Sequence, residues 1–236
     1  MLRRIVTVSA GICMIAMAIA GSALAQEPAP APAREGRAGR EPAGPPRPPL
    51  FLREEWKQAA GAGEHAVTTD GVANPNLELK LYGAGKDIQI TGNAGDANNP
   101  IHLWTGLCTG TCAAALRDKE NYVDLTGLAK IRWLTKVSGF HQVHPIVKLA
   151  DGTWLVGDRA DGSTVDWHES EFSISEVRWL KLDIDKVLTK GNFIAKPDLS
   201  KVDEIGFTDL MPGSGHGPGG WSDVAFVEVY GKPVKR

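Results

Sequence analysis

The chain is short of cysteine, of excess charge in either sign, of internal repeats and of helical periodicity, and each shortage narrows what it can be. Three cysteines in 236 residues cannot staple a disulfide-built scaffold, and they supply no second Cys pair for a four-thiolate metal site. A formal charge of −2 lacks the basic excess through which nucleic-acid binders release counterions, which argues against nucleic acid as a partner. Helical patterning is confined to residues 53–60 and a turn at 185–188, so the expected class is all-β.

The amino terminus is of a different character. Arg3 and Arg4 precede an apolar run over residues 5–20, and Ala23 and Ala25 form a small-x-small site before Gln26. A basic start, an apolar core and such a site define a secretory signal, expected over residues 1–25. The apolar run is near the lower limit for spanning hydrocarbon and is diluted by Thr7, Ser9 and Gly11, so no stable membrane anchor is expected after cleavage. Cleavage removes two positive charges and no acid, taking the formal charge from −2 to −4. Residues 26–49, dominated by Pro, Ala, Gly, Arg and Glu, cannot bury enough surface to offset their ordering entropy and read as an extended tether. A folded domain is expected over residues 50–236, and the mature protein is expected in the periplasm or outside the cell as a monomer.

Past the signal only Cys108 and Cys112 remain, spaced Cys-Thr-Gly-Thr-Cys. In an oxidising compartment that pair predicts a disulfide, with Gly110 permitting the tight ring. No partner residues for a redox or metal role lie nearby, and no cofactor is expected.

Most of the domain alternates in steps of two between Gly, Asn, Asp and Pro breaks, with strands expected over residues 101–104, 113–117, 131–137, 146–150, 153–156, 167–174, 178–184, 204–210 and 224–230. Asp151-Gly152 predicts a two-residue hairpin turn, which sets Leu149 opposite Trp154 and both toward the core. Many short strands at this spacing point to an antiparallel β-sandwich or jelly roll.

Two segments carry a resemblance. Tyr122-Val123-Asp124-Leu125-Thr126-Gly127 leading to Ile131-Arg132-Trp133, and Pro197-Asp198-Leu199-Ser200 leading to Ile205-Gly206-Phe207, a Gly-rich loop and Val224–Tyr230, resemble central and closing strands of galactose-binding-like jelly rolls. Carbohydrate-binding modules and the complex I intermediate-associated family share the pattern. The resemblance implies fold more than activity, because that family hosts sugar-binding, lipid-surface and structural roles.

Strand parity refines the expectation. Ile131, Trp133 and Val137 share a core face that leaves Arg132 outward. Phe172 and Ile174 leave Trp167, Glu169 and Glu171 outward. Leu180, Leu182 and Ile184 leave Trp179, Lys181 and Asp183 outward, while Val227 and Val229 leave Phe226, Glu228 and Tyr230. A face mixing aromatic plates with charges suits a sugar, whose C–H face stacks and whose hydroxyls need hydrogen bonds. The expected ligand face therefore comprises Arg132, Trp167, Glu169, Trp179, Lys181 and Tyr230, with Trp221 at its rim and a polysaccharide or cell-surface glycan as partner. An envelope scaffold using the same face and a glycoside hydrolase using Glu169 or Glu171 stand beside this reading.

Other constellations read as structural. Glu171 and Glu176 sit at an odd strand offset, and Ser173 stands where a β-sandwich glycosidase would place an assisting Asp, so no catalytic residue is assigned. His141 and His144 read as loop or edge residues, since three-residue spacing converges only on a helix. Gly215–Gly220 matches a dinucleotide fingerprint in letters only, because a strand follows it. The loop over residues 212–221 reads as a long flexible connection between the last two strands, or as a rim placing His216 and Trp221 over a ligand. Asp158, Asp161 and Asp166 lack the spacing of a calcium loop and read as an acidic turn, with a structural calcium ion as the alternative.

Overall fold

A computed structural model describes residues 46–58, 63–164 and 166–236. The expected signal and nearly all of the tether lie outside the described residues. The first strands are β1 (Leu50–Glu54), β2 (His65–Ala66), β3 (Leu77–Gly83), β4 (Gln89–Thr91), β5 (His102–Trp104), β6 (Cys112–Asp118), β7 (Asn121–Asp124) and β8 (Lys130–Val137). There follow β9 (Val143–Leu149), β10 (Trp154–Gly157), β11 (His168–Ser173), β12 (Trp179–Asp183), β13 (Leu188–Ile194), β14 (Val202–Asp209), β15 (Ser222–Tyr230) and β16 (Lys232–Lys235). Three short 3-10 turns are the helical elements among the described residues.

The strands form two antiparallel sheets. One runs β11-β8-β15-β5-β4-β2, with β1 also on β15; the other runs β13-β12-β10-β9-β14-β6-β3, with β7 on β14 and β16 on β7. Between them lies one core in which Ile131, Trp133 and Val137 of β8 meet Val147, Leu155, Ile205 and Phe207 of the second sheet. The all-β antiparallel sandwich is thus what the strand pattern led one to expect. Lateral closure of β1 onto β15 through Leu52↔Val229 and Arg53↔Glu228 replaces the expected helix at its start. There the buried Glu54 carboxylate accepts the amides of Trp56, Ala73 and Asn74, so the chain satisfies its backbone through a side chain instead of a helical turn.

The second sheet has apolar residues on both faces. Ala114, Leu116, Val147 and Leu155 enter the central core, while their neighbours Ala113, Ala115, Ile146, Trp154 and Val156 form a second cluster with Leu182 and Val187 on the outer face. Two expectations fail here. The 149–154 hairpin has three loop residues, with Gly152 at φ 88° and Trp154 opposite Lys148. That one-residue slip carries Trp154 from the core to the outer cluster. In β12 the parity inverts: Trp179, 2% exposed, belongs to the central core, and Leu180, Leu182 and Ile184 belong to the outer cluster. Apolar character marks the inner face only where the other face is wet, and in this sheet it is not.

Cys108 and Cys112 are bonded across a Cα–Cα separation of 6.3 Å, as their spacing led one to expect. No described helix is long and apolar enough to cross a membrane.

Candidate functional site

The outer face of the first sheet carries two neighbouring surfaces of different chemistry. The first is a strip of paired charges. Arg132 Nε donates to Glu169 at 2.7 Å and a terminal nitrogen to Glu228 at 3.0 Å. Arg53 also binds Glu228, and Lys130 binds Glu171 at 2.7 Å. The Arg132–Glu169 hydrogen bond raises the guanidinium pKa and lowers that of the carboxyl. Phe226 lies beneath both Arg53 and Arg132, at 5.1 and 5.5 Å from the ring centre. Tyr230 lies beneath Lys130 at 4.6 Å and donates its hydroxyl to Glu228. The expected members Arg132, Glu169 and Tyr230 are therefore together, but their charges and ring faces are engaged with one another. A carboxyl held ionised by arginine is unsuited to donate a proton to a leaving group.

Farther along the sheet is a recess of about 240 Å³ lined by Glu64, Thr91, Asn99, His102, Trp104, His216, Trp221 and Asp223. Its floor follows from local sequence. In β5 the alternation His-Leu-Trp buries Leu103 in the core and turns His102 and Trp104 to the opposite face. Asp223 pairs with Trp104 across the sheet. A bulge between Val224 and Phe226 places Asp223 and Phe226, three apart, on one face. Gly106 follows because a Cβ there would lie 2.1 Å from the Trp104 ring.

The walls are aromatic. His216 stacks on Trp104 with ring centres 4.7 Å apart and planes at 27°, Trp221 meets Trp104 edge-on at 6.4 Å, and Trp167 meets His102 edge-on at 5.0 Å. Trp167 also donates its indole N–H to the Asn98 carbonyl at 3.1 Å, which leaves it half-buried against the β4–β5 loop. His216 additionally faces Glu64 at 3.1 Å.

Two polar groups at the floor lack full partners. His102 places Nδ1 2.7 Å from the Pro100 carbonyl, which assigns its proton to Nδ1 and leaves Nε2 an acceptor. Burial lowers its pKa, and the nearby Lys136 charge adds to this, so the ring is neutral at neutral pH. Nε2 stands 3.6 Å from Asp223 Oδ1, an oxygen buried without a hydrogen-bond partner. Burial raises the Asp223 carboxyl to about 7, with the Trp221 indole and the Lys136 charge opposing the rise.

The remaining expectations fall as follows. Trp179 is in the core, and Lys181 is exposed on the other sheet; neither joins the face of Arg132. His141 is in a loop but buried, with Nδ1 2.7 Å from Asp209. Asp161 accepts from Trp133, Thr135 and Ser170, and Asp158 pairs with Arg178. Those carboxylates hold up protein structure, and among the described residues no group of three potential metal ligands converges. Glu176 sits in a 3-10 turn instead of extending the strand of Glu171. Sequence reasoning missed His102, Trp104 and Asp223. The period-two alternation of β5 was a usable signal for the first two, whereas the bulge hid the third.

An antiparallel sandwich with an aromatic-walled polar recess on one sheet is thus the class of molecule the fold and site define. Neither a family model nor a curated protein matches the sequence. Solved structures similar to it include the family 11 carbohydrate-binding module of the cellulosomal cellulase Lic26A-Cel5E of Clostridium thermocellum, at 16% identity over 73% of this chain and 98% of that one, TM-score 0.42. A family 29 carbohydrate-binding module aligns at 13% identity over 77% and 92%, TM-score 0.39. TmCBM61, solved in complex with β-1,4-galactotriose, aligns at 10% identity over 65% and 88%, TM-score 0.37.

Proposed function

We propose that the protein is an exported, non-catalytic glycan-binding module whose ligand enters the recess of Trp104, Trp221, His102 and Asp223. The observation that carries this is the coincidence of a flat ring face, that of Trp104, 4% exposed beneath His216, and unmet polar valence. His216 lies on Trp104 at 4.7 Å as a flat ring already occupying the face on which a pyranose would stack, and Asp223 Oδ1 beneath has no partner. A sugar supplies an apolar C–H face for the first and hydroxyl donors for the second. Trp167, Arg132, Glu169 and Tyr230 extend the same sheet face away from the recess, so a longer chain would run over them. The Cys108–Cys112 bond and the amino-terminal signal pattern support export to an oxidising compartment, periplasmic or extracellular.

Binding to an array of plant, algal and bacterial polysaccharides tests the proposal. Trp221→Ala, which removes one indole wall from a half-buried position, is expected to cost about 1.5 kcal/mol of affinity, about tenfold in Kd, with unchanged circular dichroism. A folded protein silent across the array, yet crosslinked to a protein partner, would favour the scaffold reading.

A further inference from the structure

Asp223 is 5% exposed, and among the described residues the only basic side chain within 4 Å of its carboxyl is the ring of His102, which burial keeps neutral. A buried carboxylate without a counter-charge or hydrogen bond to Oδ1 is a costly arrangement that a ligand can relieve. His102 Nε2, with its lone pair free, converges on the same point. Two acceptors 3.6 Å apart are complementary to a group that only donates. An ammonium has three N–H donors and no acceptor, whereas a hydroxyl brings lone pairs that need donors of their own. The indoles of Trp104 and Trp221 line the same recess, and the Trp221 N–H is directed at the Asp223 carboxyl.

We propose that the recess selects a protonated amino sugar, a hexosamine with a free amine, whose ammonium lies between Asp223 and His102 while its ring stacks on Trp104 in place of His216. The proposal rests on the glycan-binding reading and narrows it to a substrate class. The charged groups around the pocket are compatible with it. Glu64, on the segment before β2, adds a second carboxylate to the lining; Lys136, opposite Asp223 on β8, is the opposing charge; His216 is engaged with Glu64 at the rim. Binding is strongest near neutrality, falling on the acid side as Asp223 protonates and on the alkaline side as the amine loses its proton.

Calorimetric titration with a fully deacetylated glucosamine tetramer, its N-acetylated counterpart and a neutral glucose tetramer tests the inference. The deacetylated tetramer is expected to bind at least tenfold more tightly than the other two at neutral pH, and Asp223→Asn to bring that ratio close to one. Equal binding of the three tetramers overturns the inference and leaves the glycan reading standing. Failure of the glucosamine tetramer to bind overturns it as well, and silence across the polysaccharide array in addition removes the broader reading. N-acetyl-lysinamide binding as tightly as the glucosamine tetramer would overturn the assignment to a sugar.

Discussion

Replacing Asp209 by alanine is expected to destabilise the domain by about 3–5 kcal/mol, the range for removing one partner of a buried charged network. Asp209 is fully buried at the end of β14. Its Oδ2 accepts from Thr105 at 3.0 Å, His141 at 2.7 Å and Ser222 at 2.8 Å, while Oδ1 accepts the Met211 amide at 3.1 Å. Those donors come from the segment after β5, the β8–β9 loop, the first residue of β15 and the chain leaving β14. One carboxylate thus joins both sheets at the end where the recess is built. Alanine would strand two hydroxyls and an imidazole in the interior, each with its own desolvation penalty. For a domain of this size the loss is a fall in melting temperature of roughly 6–20 °C. Asp209→Asn, which keeps the shape and one acceptor oxygen, should lie between. Thermal and urea unfolding check this, and a loss below about 1 kcal/mol would show that the network is not organised as described. The same geometry speaks against a hydrolytic triad, because Ser222 donates to the aspartate and not to the histidine, so nothing activates its oxygen.

How far the sequence disclosed this arrangement depended on whether a strand had one wet face. In β8 and β11 it does, and parity placed Arg132, Glu169 and Glu171 outward; in the second half of β15 the outer residues Phe226 and Glu228 are buried beneath Arg53 and Arg132, and the charge of Glu228 marked that side. The second sheet is apolar on both sides around Ala113, Ala115, Ile146 and Trp154, so Leu180 and Leu182 could not reveal which way Trp179 pointed. Trp179 and Trp154 were misplaced for related reasons, an ambiguous pattern in one case and a single extra loop residue in the other. Asp223 was hidden by the bulge at Ala225, which breaks the alternation separating it from Phe226. Such irregularities depend on cross-strand partners far away in sequence, and a reading of local periodicity does not contain them.

Aromatic and charged residues occur together in several places, and what distinguishes the recess is incomplete satisfaction. On the outer face of the second sheet Trp154 meets Tyr82 edge-on at 4.9 Å, the Tyr82 hydroxyl donates to Glu204 at 2.6 Å, and Lys148 donates to the same carboxylate at 2.8 Å. That network is closed, and burial with the Glu204 hydrogen bond pushes the Tyr82 phenol upward. The Arg132–Glu169–Glu228 strip is closed in the same sense. Closed networks rigidify the sandwich; the one around Asp223 leaves Oδ1 without a hydrogen-bond partner, at a cost in stability.

That cost sets the second large prediction. Burial disfavours the charge of the Asp223 carboxyl and pushes it up to about 7 in the folded protein, from an ordinary value of 3.8. Between those two values the unfolded chain has released the proton and the folded chain retains it, so folding takes up a proton and stability falls as pH rises. The contribution is fully present below about pH 4 and is lost as pH rises through 7, to a total of about 4 kcal/mol from a shift of this size. Carboxylates held low by arginine or lysine, such as Asp203 and Asp183, act in the opposite direction, so the wild-type curve alone does not isolate Asp223. The difference between Asp223→Asn and wild type does. The asparagine is uncharged at every pH and its amide can donate toward His102 Nε2. The variant should therefore match wild type near pH 4 and exceed it increasingly through pH 7, reaching about 4 kcal/mol by pH 8. Urea unfolding of both proteins at unit pH steps measures the difference directly. Parallel curves across that range would mean that Asp223 is solvated or paired in the free protein, and the recess would then hold no unmet charge to offer a ligand.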